Sequence, residues 1–270
     1  MEIVISRRGP LRGSLKVPSD KSISHRTVIL GGLASGRSRV SKFLRSEDTL
    51  SSAGCMQRLG IGIEERDGEL LIEGKGLHGL QEPSEVLDCG NSGTTMRLLC
   101  GVLAGQRFFS VLTGDESLRR RPMARVIQPL SQMGARIDGR GEGRFAPLAI
   151  RGGSLSGIEY CLPMASAQVK SALLLAGLYS EGTVELTEPQ ASRNHTERMF
   201  QAMGANLSIE SGKIILQPVE KLEPLEINVP GDISSAAFFL VAATVVPGSE
   251  LLLTRVGINP TRSGLIRVLR

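Results

Sequence analysis

The amino-acid sequence predicts an α/β (α+β) protein assembled from a repeated subdomain of helices and strands. Three observations carry that reading. A helix ends three times in nearly the same words, Met56-Gln57-Arg58-Leu59-Gly60, Gln132-Met133-Gly134-Ala135 and Ala202-Met203-Gly204-Ala205. Each ending runs into a strand and then into a second one, across a Gly-containing turn in the first and third. Upstream of each lie a polar helix start, an apolar helix closing at Gly, and a strand rich in branched and aromatic residues. The period is roughly 70 residues, longer than that of solenoid repeats, so each unit is a small α/β subdomain.

Taken in order, Met1–Ser6 alternates as a strand does. The first copy starts a helix at Asp20–Ser24 and continues through a strand at Arg37–Phe43 to the pair Ile61-Gly62-Ile63 and Leu70–Ile72, turned at Asp67-Gly68. The second starts at Asn91–Thr95, with its strand at Arg107–Leu112. The third starts at Ser166–Lys170, with its strand at Thr183–Leu186 and Ser211-Gly212 turning into Lys213–Leu216. The recurring glycine suits a helix C-cap, where a left-handed residue costs least. A fourth copy opens at Asp232-Ile233-Ser234-Ser235, with an apolar helix to Gly248, a strand at Glu250–Thr254 and a second helix from near Pro260. Its Met-Gly-Ala ending and strand pair do not follow. A half-built unit leaves an apolar helix face without its sheet, so the repeat alone leads us to expect a C-terminally truncated polypeptide.

Composition narrows the function classes. At 270 residues, 41% apolar and 22% charged with the two interspersed, the chain has a sizeable core and is not a disordered segment. The longest apolar stretch, Ala236–Val246, is too short to span a bilayer and reads as a core helix, so no membrane partner is expected. Met1–Ser6 is not a leader of the charged-then-apolar kind. The cysteines Cys55, Cys89, Cys100 and Cys161 have no C-x-x-C spacing and no histidine neighbours. They read as reduced thiols of a cytoplasmic protein, neither a disulfide frame nor a metal site. A net charge of +5 admits nucleic acid, membrane or small anions. With no Trp, two Tyr and arginines scattered singly outside Arg119–Arg121, nucleic acid is set aside in favour of small anions.

Every copy opens its first helix with small polar residues: Lys21-Ser22-Ile23-Ser24, Asn91-Ser92-Gly93-Thr94, Ser166-Ala167-Gln168 and Asp232-Ile233-Ser234-Ser235. Helix N-termini carry unpaired N–H groups and partial positive charge, and so bind anions. Any one of these starts is explained equally by capping. Four in equivalent positions, three beside basic residues, favour a shared anion site. The densest signal is Val17-Pro18-Ser19-Asp20-Lys21-Ser22-Ile23-Ser24-His25-Arg26. Lys21 and Arg26 stand about a turn and a half apart and could flank one phosphate; a capped helix with two solvated cations fits that spacing as well.

These segments resemble a known family, the 5-enolpyruvylshikimate-3-phosphate synthases. Asp20–Arg26 is similar to that family's Asp-Lys-Ser-Ile-Ser-His-Arg signature, and Asp88–Arg97 to its Gly-Asn-(Ala/Ser)-Gly-Thr loop. Arg120-Arg121-Pro122-Met123 resembles the family's Arg-Pro lid segment. Ala165–Ala172 and Ser192–Glu197 resemble third-repeat motifs of the bacterial Ser-Ala-Gln branch, and Val229–Ala236 the start of a fourth repeat. The resemblance covers essentially the whole chain in order.

The resemblance implies the enolpyruvyl transferase fold of repeated βαβαββ units, an inverse α/β barrel-like arrangement with one complete domain plus part of a second. Residues 17–229 would be the complete domain of three repeats, and 1–16 with 230–270 the partial second one, with substrates between the two. It implies transfer of the enolpyruvyl group of phosphoenolpyruvate to the 5-hydroxyl of shikimate 3-phosphate, without metal or organic cofactor, by a protein that is a monomer at full length. Shikimate 3-phosphate would be held by Lys21, Ser22, Arg26, Ser166, Ala167, Gln168 and Arg193, and phosphoenolpyruvate by Lys21, Gly93, Arg121 and Gln168. Lys21 is the catalytic candidate for proton transfer, since a lysine crowded by cations loses proton affinity. Arg119 and Arg120 read as a solvated loop. The family's acidic catalytic residues belong to its C-terminal half, so this polypeptide is expected to bind and not to turn over. The sister enzyme acting on UDP-N-acetylglucosamine reads Lys-Asn where this chain has Lys21-Ser22, and carries a lid cysteine that Thr113–Arg125 lacks. A non-catalytic anion-binding module and a split-enzyme fragment are the remaining alternatives.

Overall fold

The structure, a computed structural model, describes residues 9–270. The strand expected at Met1–Ser6 lies outside the described residues. The chain divides into two units, one joining the described part of Met1–Asp20 to Val229–Arg270, the other Lys21–Asn228.

In chain order, β1 (Arg12–Leu15) precedes a first repeat of α1 (Lys21–Leu33), β2 (Ser35–Ser41), α2 (Glu47–Arg58), β3 (Gly62–Arg66) and β4 (Glu69–Lys75). The second repeat is β5 (Leu87–Asp88), α3 (Gly93–Ala104), β6 (Phe109–Thr113), α4 (Glu116–Arg119), α5 (Ala124–Gln132), β7 (Arg136–Arg140) and β8 (Phe145–Arg151). The third is β9 (Ile158–Cys161), α6 (Ala167–Gly177), β10 (Val184–Thr187), α7 (His195–Ala202), β11 (Leu207–Glu210) and β12 (Lys213–Leu216), followed by β13 (Glu226–Asn228). The chain then runs through α8 (Ile233–Val245), β14 (Glu250–Leu253) and α9 (Gly264–Leu269).

The larger unit holds three four-stranded sheets of one design: β13-β2-β4-β3, β5-β6-β8-β7 and β9-β10-β12-β11. In each, the first pair is parallel and the other two are antiparallel. The βαβαββ unit is therefore present three times. The first repeat takes its opening strand from the far end of the unit, where Glu226–Asn228 pairs with Arg39–Ser41. The strand expected at Arg37–Phe43 sits two residues earlier because Lys42, at φ 56, turns the chain out of the extended region. The second repeat inserts the short α4, absent from the sequence reading, where Asp115 caps it by accepting from the Leu118 N–H at 2.7 Å.

The three repeated endings have one physical cause. Gly60, Gly134 and Gly204 lie at φ 90, 98 and 80 just past α2, α5 and α7. The residues after them, Ile61, Ala135 and Ala205, return their N–H groups to the carbonyls of Met56, Leu130 and Phe200. This is the Schellman arrangement, which requires a left-handed residue and so selects glycine. Helices α1, α3 and α6 are buried along most of their length, so they form the centre of the unit. At Gly101, α3 approaches the Ala172 carbonyl of α6 so closely that a side chain would collide with backbone. The four cysteines are unpaired thiols, and burial pushes that of Cys100 up to about 12.

In the smaller unit β1 runs parallel to β14, in register from Arg12 opposite Glu250 to Leu15 opposite Leu253. Val17, Ile233 and Ala236 make its core, with Leu15, Leu240, Leu253, Val256 and Ile266 packed against them. Asp232 caps α8 through the Ser234 N–H at 2.8 Å. The helix buries only Ile233 and Ala236, and Phe238 is 79% exposed.

Candidate functional site

Two of the predicted helix starts are capped by their own hydroxyls. Ser92 accepts from the Thr95 N–H at 3.1 Å and opens α3; Ser166 accepts from the Val169 N–H at 3.4 Å and opens α6. Within the larger unit α3 packs against both α1 and α6. The remaining N–H groups and partial positive charge of these ends are what an anion meets.

Around α1, Arg193 from the segment before α7 donates through Nη1 to Ser22 Oγ at 2.6 Å. Arg26 is only 4% exposed. Its Nε donates to Thr196 Oγ1 at 2.6 Å, its Nη2 to Ser171 Oγ at 2.7 Å and its Nη1 to the Ser22 carbonyl at 3.0 Å. It therefore braces α1, α6 and α7 against each other instead of standing beside Lys21 as a solvated cation. Lys21 is exposed, and its ammonium pairs with Asp48 of α2. This carboxylate partner was not foreseen, because α2 delivers Asp48 from a distance in sequence that spacing does not reveal.

Around α3 the surroundings are strongly cationic. A Cβ built on Gly93 would lie 2.9 Å from Arg97 Nη1 and 3.3 Å from Arg121 Nη1, so the bare glycine lets two guanidinium groups close on the backbone at the first turn of α3. Arg97 donates through Nη1 to Gln168 Oε1 at 2.7 Å, and Gln168 Nε2 donates to Thr94 Oγ1 at 2.8 Å, joining α3 to α6. Arg121 donates to Asn91 Oδ1, whose own amide donates to Asp115 Oδ2 at 2.6 Å. That amide, and then the Leu118 N–H, hold the Asp115 carboxyl below the usual range. Burial, and then the charges of Arg125 and Arg121, lower the proton affinity of Arg97. A site whose neighbouring cations lower the proton affinity of Arg97 favours a negatively charged ligand.

The structure thus brings Ser22 and Arg193 together, and separately Gly93, Arg121 and Gln168. Ala167 is buried at the first turn of α6, and Arg119 and Arg120 are exposed at the end of α4, with Arg120 paired to Glu116. Sequence reasoning assigned no role to Arg97, Asn91, Asp115, Arg125 or Asp48. Arg97 was within reach, since it stands four residues after Gly93 and so on the same helix face.

Behind these helix ends runs a buried polar chain. His25 Nδ1 lies 2.8 Å from Ser52 Oγ, Ser52 Oγ 2.7 Å from Thr95 Oγ1, and Thr95 Oγ1 donates to Ser92 Oγ at 2.7 Å. Burial, assisted by the charges of Lys21 and Arg26 and opposed by Asp48, lowers His25 from 6.5 to about 3. The folded protein therefore keeps His25 neutral where the unfolded chain takes up a proton. The resulting stability is complete above about pH 6.5 and is lost as pH falls toward 3, on the order of a few kcal/mol in all. Urea unfolding at about pH 7.5 and about pH 5 should show this loss in the wild type and a smaller one in His25→Asn. Equal losses in both would remove His25 as the source.

Three repeated βαβαββ units, with cations gathered near the N-termini of α1 and α3, define the class of fold and the candidate site. Residues 5–270 match the family described as EPSP synthase (3-phosphoshikimate 1-carboxyvinyltransferase). The chain is 55% identical over 270 residues to the 3-phosphoshikimate 1-carboxyvinyltransferase of Pelotomaculum thermopropionicum, covering 100% of this chain and 63% of that one. With the protein of the same description from Geotalea daltonii it shares 58% over 261 residues, covering 96% and 61%. Among solved structures, EPSP synthase from Acinetobacter baumannii superposes with a TM-score of 0.90 at 49% identity, covering 96% of this chain and 59% of that one. The chain belongs to the EPSP synthase family, and it spans about 61–63% of the length of these two curated relatives. No helix among the described residues is long and apolar enough to cross a membrane.

Proposed function

We propose that this chain carries substrate-binding machinery for enolpyruvyl transfer from phosphoenolpyruvate to the 5-hydroxyl of shikimate 3-phosphate. The observation that carries the reading is the close approach of the Arg97 and Arg121 guanidinium groups to the backbone at Gly93, near enough that a Cβ there would crowd both. A planar fork of N–H donors suits a carboxylate or phosphate bidentately, and the missing Cβ lets such an anion approach the first turn of α3. Phosphoenolpyruvate carries both groups. Ser22 and Arg193, joined at 2.6 Å, would take the phosphate of shikimate 3-phosphate, with the N-terminus of α6 at Ser166 beside Gln168.

In the proposed reaction, C3 of phosphoenolpyruvate gains a proton and the shikimate 5-oxygen, losing its own, bonds to C2. The tetrahedral adduct then loses the C3 proton and the C2–O bond to phosphate breaks, leaving the enol ether and free phosphate. Lys21, ion-paired to Asp48, is the proposed proton carrier, and the arginines would stabilise charge on the departing phosphate. Residues 17–229 are proposed as one domain.

Calorimetric titration with shikimate 3-phosphate, then with phosphoenolpyruvate, tests the reading. Saturable binding of shikimate 3-phosphate is expected, weakened about tenfold or more in Arg193→Ala by loss of a charged hydrogen bond. Absence of saturable heat with either compound would overturn it.

A further inference from the structure

Lys170 of α6 is 1% exposed, one of the largest fully buried side chains among the described residues. Its ammonium contacts Glu188 Oε2 at 2.6 Å and Glu197 Oε1 at 2.7 Å, and both carboxylates are buried with it, their side chains 6% and 1% exposed. Glu188 follows the end of β10 and Glu197 lies on α7. The two further oxygens, Glu188 Oε1 and Glu197 Oε2, have no hydrogen-bond partner among the described residues. One ammonium facing two buried carboxylates is an unbalanced cluster. The cost of dehydrating three charges generally exceeds what their attraction returns, so such a cluster is poor as a source of stability.

What it does fix is geometry. Glu188 Oε2 accepts from the backbone N–H of Ser192 at 3.2 Å as well as from Lys170. Ser192 immediately precedes Arg193, whose Nη1 donates to Ser22 Oγ. One residue along each helix from the Lys170–Glu197 pair, Ser171 of α6 and Thr196 of α7 lie 2.7 Å apart and both accept from Arg26. Both ends of the segment 188–194 are thus pinned to α6, at Glu188 by Lys170 and at the start of α7 by Glu197 and Thr196.

We propose that the buried Lys170–Glu188–Glu197 cluster positions Arg193, setting where a phosphorylated substrate is held at the N-terminus of α1. The proposal rests on the functional reading above for the identity of that substrate. Lys170 and Glu188 act here as positioning residues, since their contacts are with the segment and not with substrate. The informative variant is Glu188→Ala, because it leaves Lys170 and Glu197 as a balanced pair and so spares the fold. Glu188→Gln is its control, since a carboxamide oxygen can still accept from Ser192.

Amide exchange at Ser192 and titration with shikimate 3-phosphate and phosphoenolpyruvate are measured on wild type and both variants. In Glu188→Ala, exchange at Ser192 should quicken about tenfold or more and affinity for shikimate 3-phosphate should fall by a similar factor, as loss of a hydrogen bond to a charged acceptor gives. Affinity for phosphoenolpyruvate should stand, a split that general destabilisation does not produce. Glu188→Gln should recover most of both effects. Unchanged exchange in Glu188→Ala overturns the anchoring whatever the protein binds, and faster exchange with full affinity for shikimate 3-phosphate overturns the positioning. A wild type that takes up no shikimate 3-phosphate overturns the functional reading itself, and the exchange comparison is independent of that result.

Discussion

Lys170→Met is expected to destabilise the larger unit by about 3–5 kcal/mol, the range for removing one partner from a buried ion cluster. Methionine fits the volume, so the loss comes from charge. Glu188 and Glu197 would stay buried with the ammonium they share removed, while Glu188 Oε1 and Glu197 Oε2 already lack partners among the described residues. Urea unfolding of the wild type and variant at neutral pH measures it. The triple replacement Lys170→Met, Glu188→Leu, Glu197→Leu separates two meanings of the cluster. If its role is geometric, the triple variant should regain most of the lost stability, because no buried charge is left unpaired. It should still release the Ser192 N–H, which an apolar side chain at 188 cannot hold. A triple variant as unstable as Lys170→Met would instead make the ions a net source of stability. A Lys170→Met loss below about 1 kcal/mol would mean that water or rearrangement relieves the carboxylates.

The parts of this molecule legible in its sequence are those whose chemistry is local. The glycines at 60, 134 and 204 announce three helix ends because the Schellman turn needs a positive φ that other residues resist. Ser92 and Ser166 announce helix starts because a hydroxyl three residues before an orphan N–H satisfies it. Repetition of these two signals gave the fold class and the spacing of the units. The strand at Glu226–Asn228 carried no such mark. It is three residues long, and its pairing is dictated by Arg39–Ser41, nearly the whole unit away in sequence. The short helix at Glu116–Arg119 is set by one aspartate cap on a segment too brief for periodicity.

The site divides along the same line. Its residue types stood in motifs, so Ser22, Gly93, Arg121, Gln168 and Arg193 could be named. Their partners could not. Asp48 reaches Lys21 from another helix, and Arg26 is drawn into the interior by Thr196 and Ser171 from two more. A lysine in the Ser-Ala-Gln-Val-Lys segment and a glutamate in the His-Thr-Glu segment look like surface charges until α6 and α7 bury them against each other. Long-range pairing of charges is set by packing, and packing has no one-dimensional signature.

Gly93→Ala should separate binding from stability at the remaining part of the site. The added Cβ would stand 2.9 Å from Arg97 Nη1 and 3.3 Å from Arg121 Nη1. Both atoms end flexible side chains, so the fold can yield, and alanine at the first turn of α3 is the better helix former by up to about 1 kcal/mol. Unfolding stability should therefore hold or rise slightly. The guanidinium groups have less freedom than the fold does, since Arg97 is tied to Gln168 and Arg121 to Asn91. Moving them aside breaks those ties, and leaving them in place sets a methyl group against the guanidinium edges an anion would meet. Overpacking of this kind costs about 1–3 kcal/mol, which appears here as weaker binding of phosphoenolpyruvate by roughly tenfold to a hundredfold. Shikimate 3-phosphate, held at Ser22 and Arg193, should bind as in the wild type. Paired titrations of the two compounds, with an unfolding curve for each protein, decide the matter. Equal loss for both compounds would mean that the variant disturbs α3 as a whole. Undiminished phosphoenolpyruvate binding would place that anion away from the Gly93 edge, and the argument for the Arg97–Arg121 fork would fail with it.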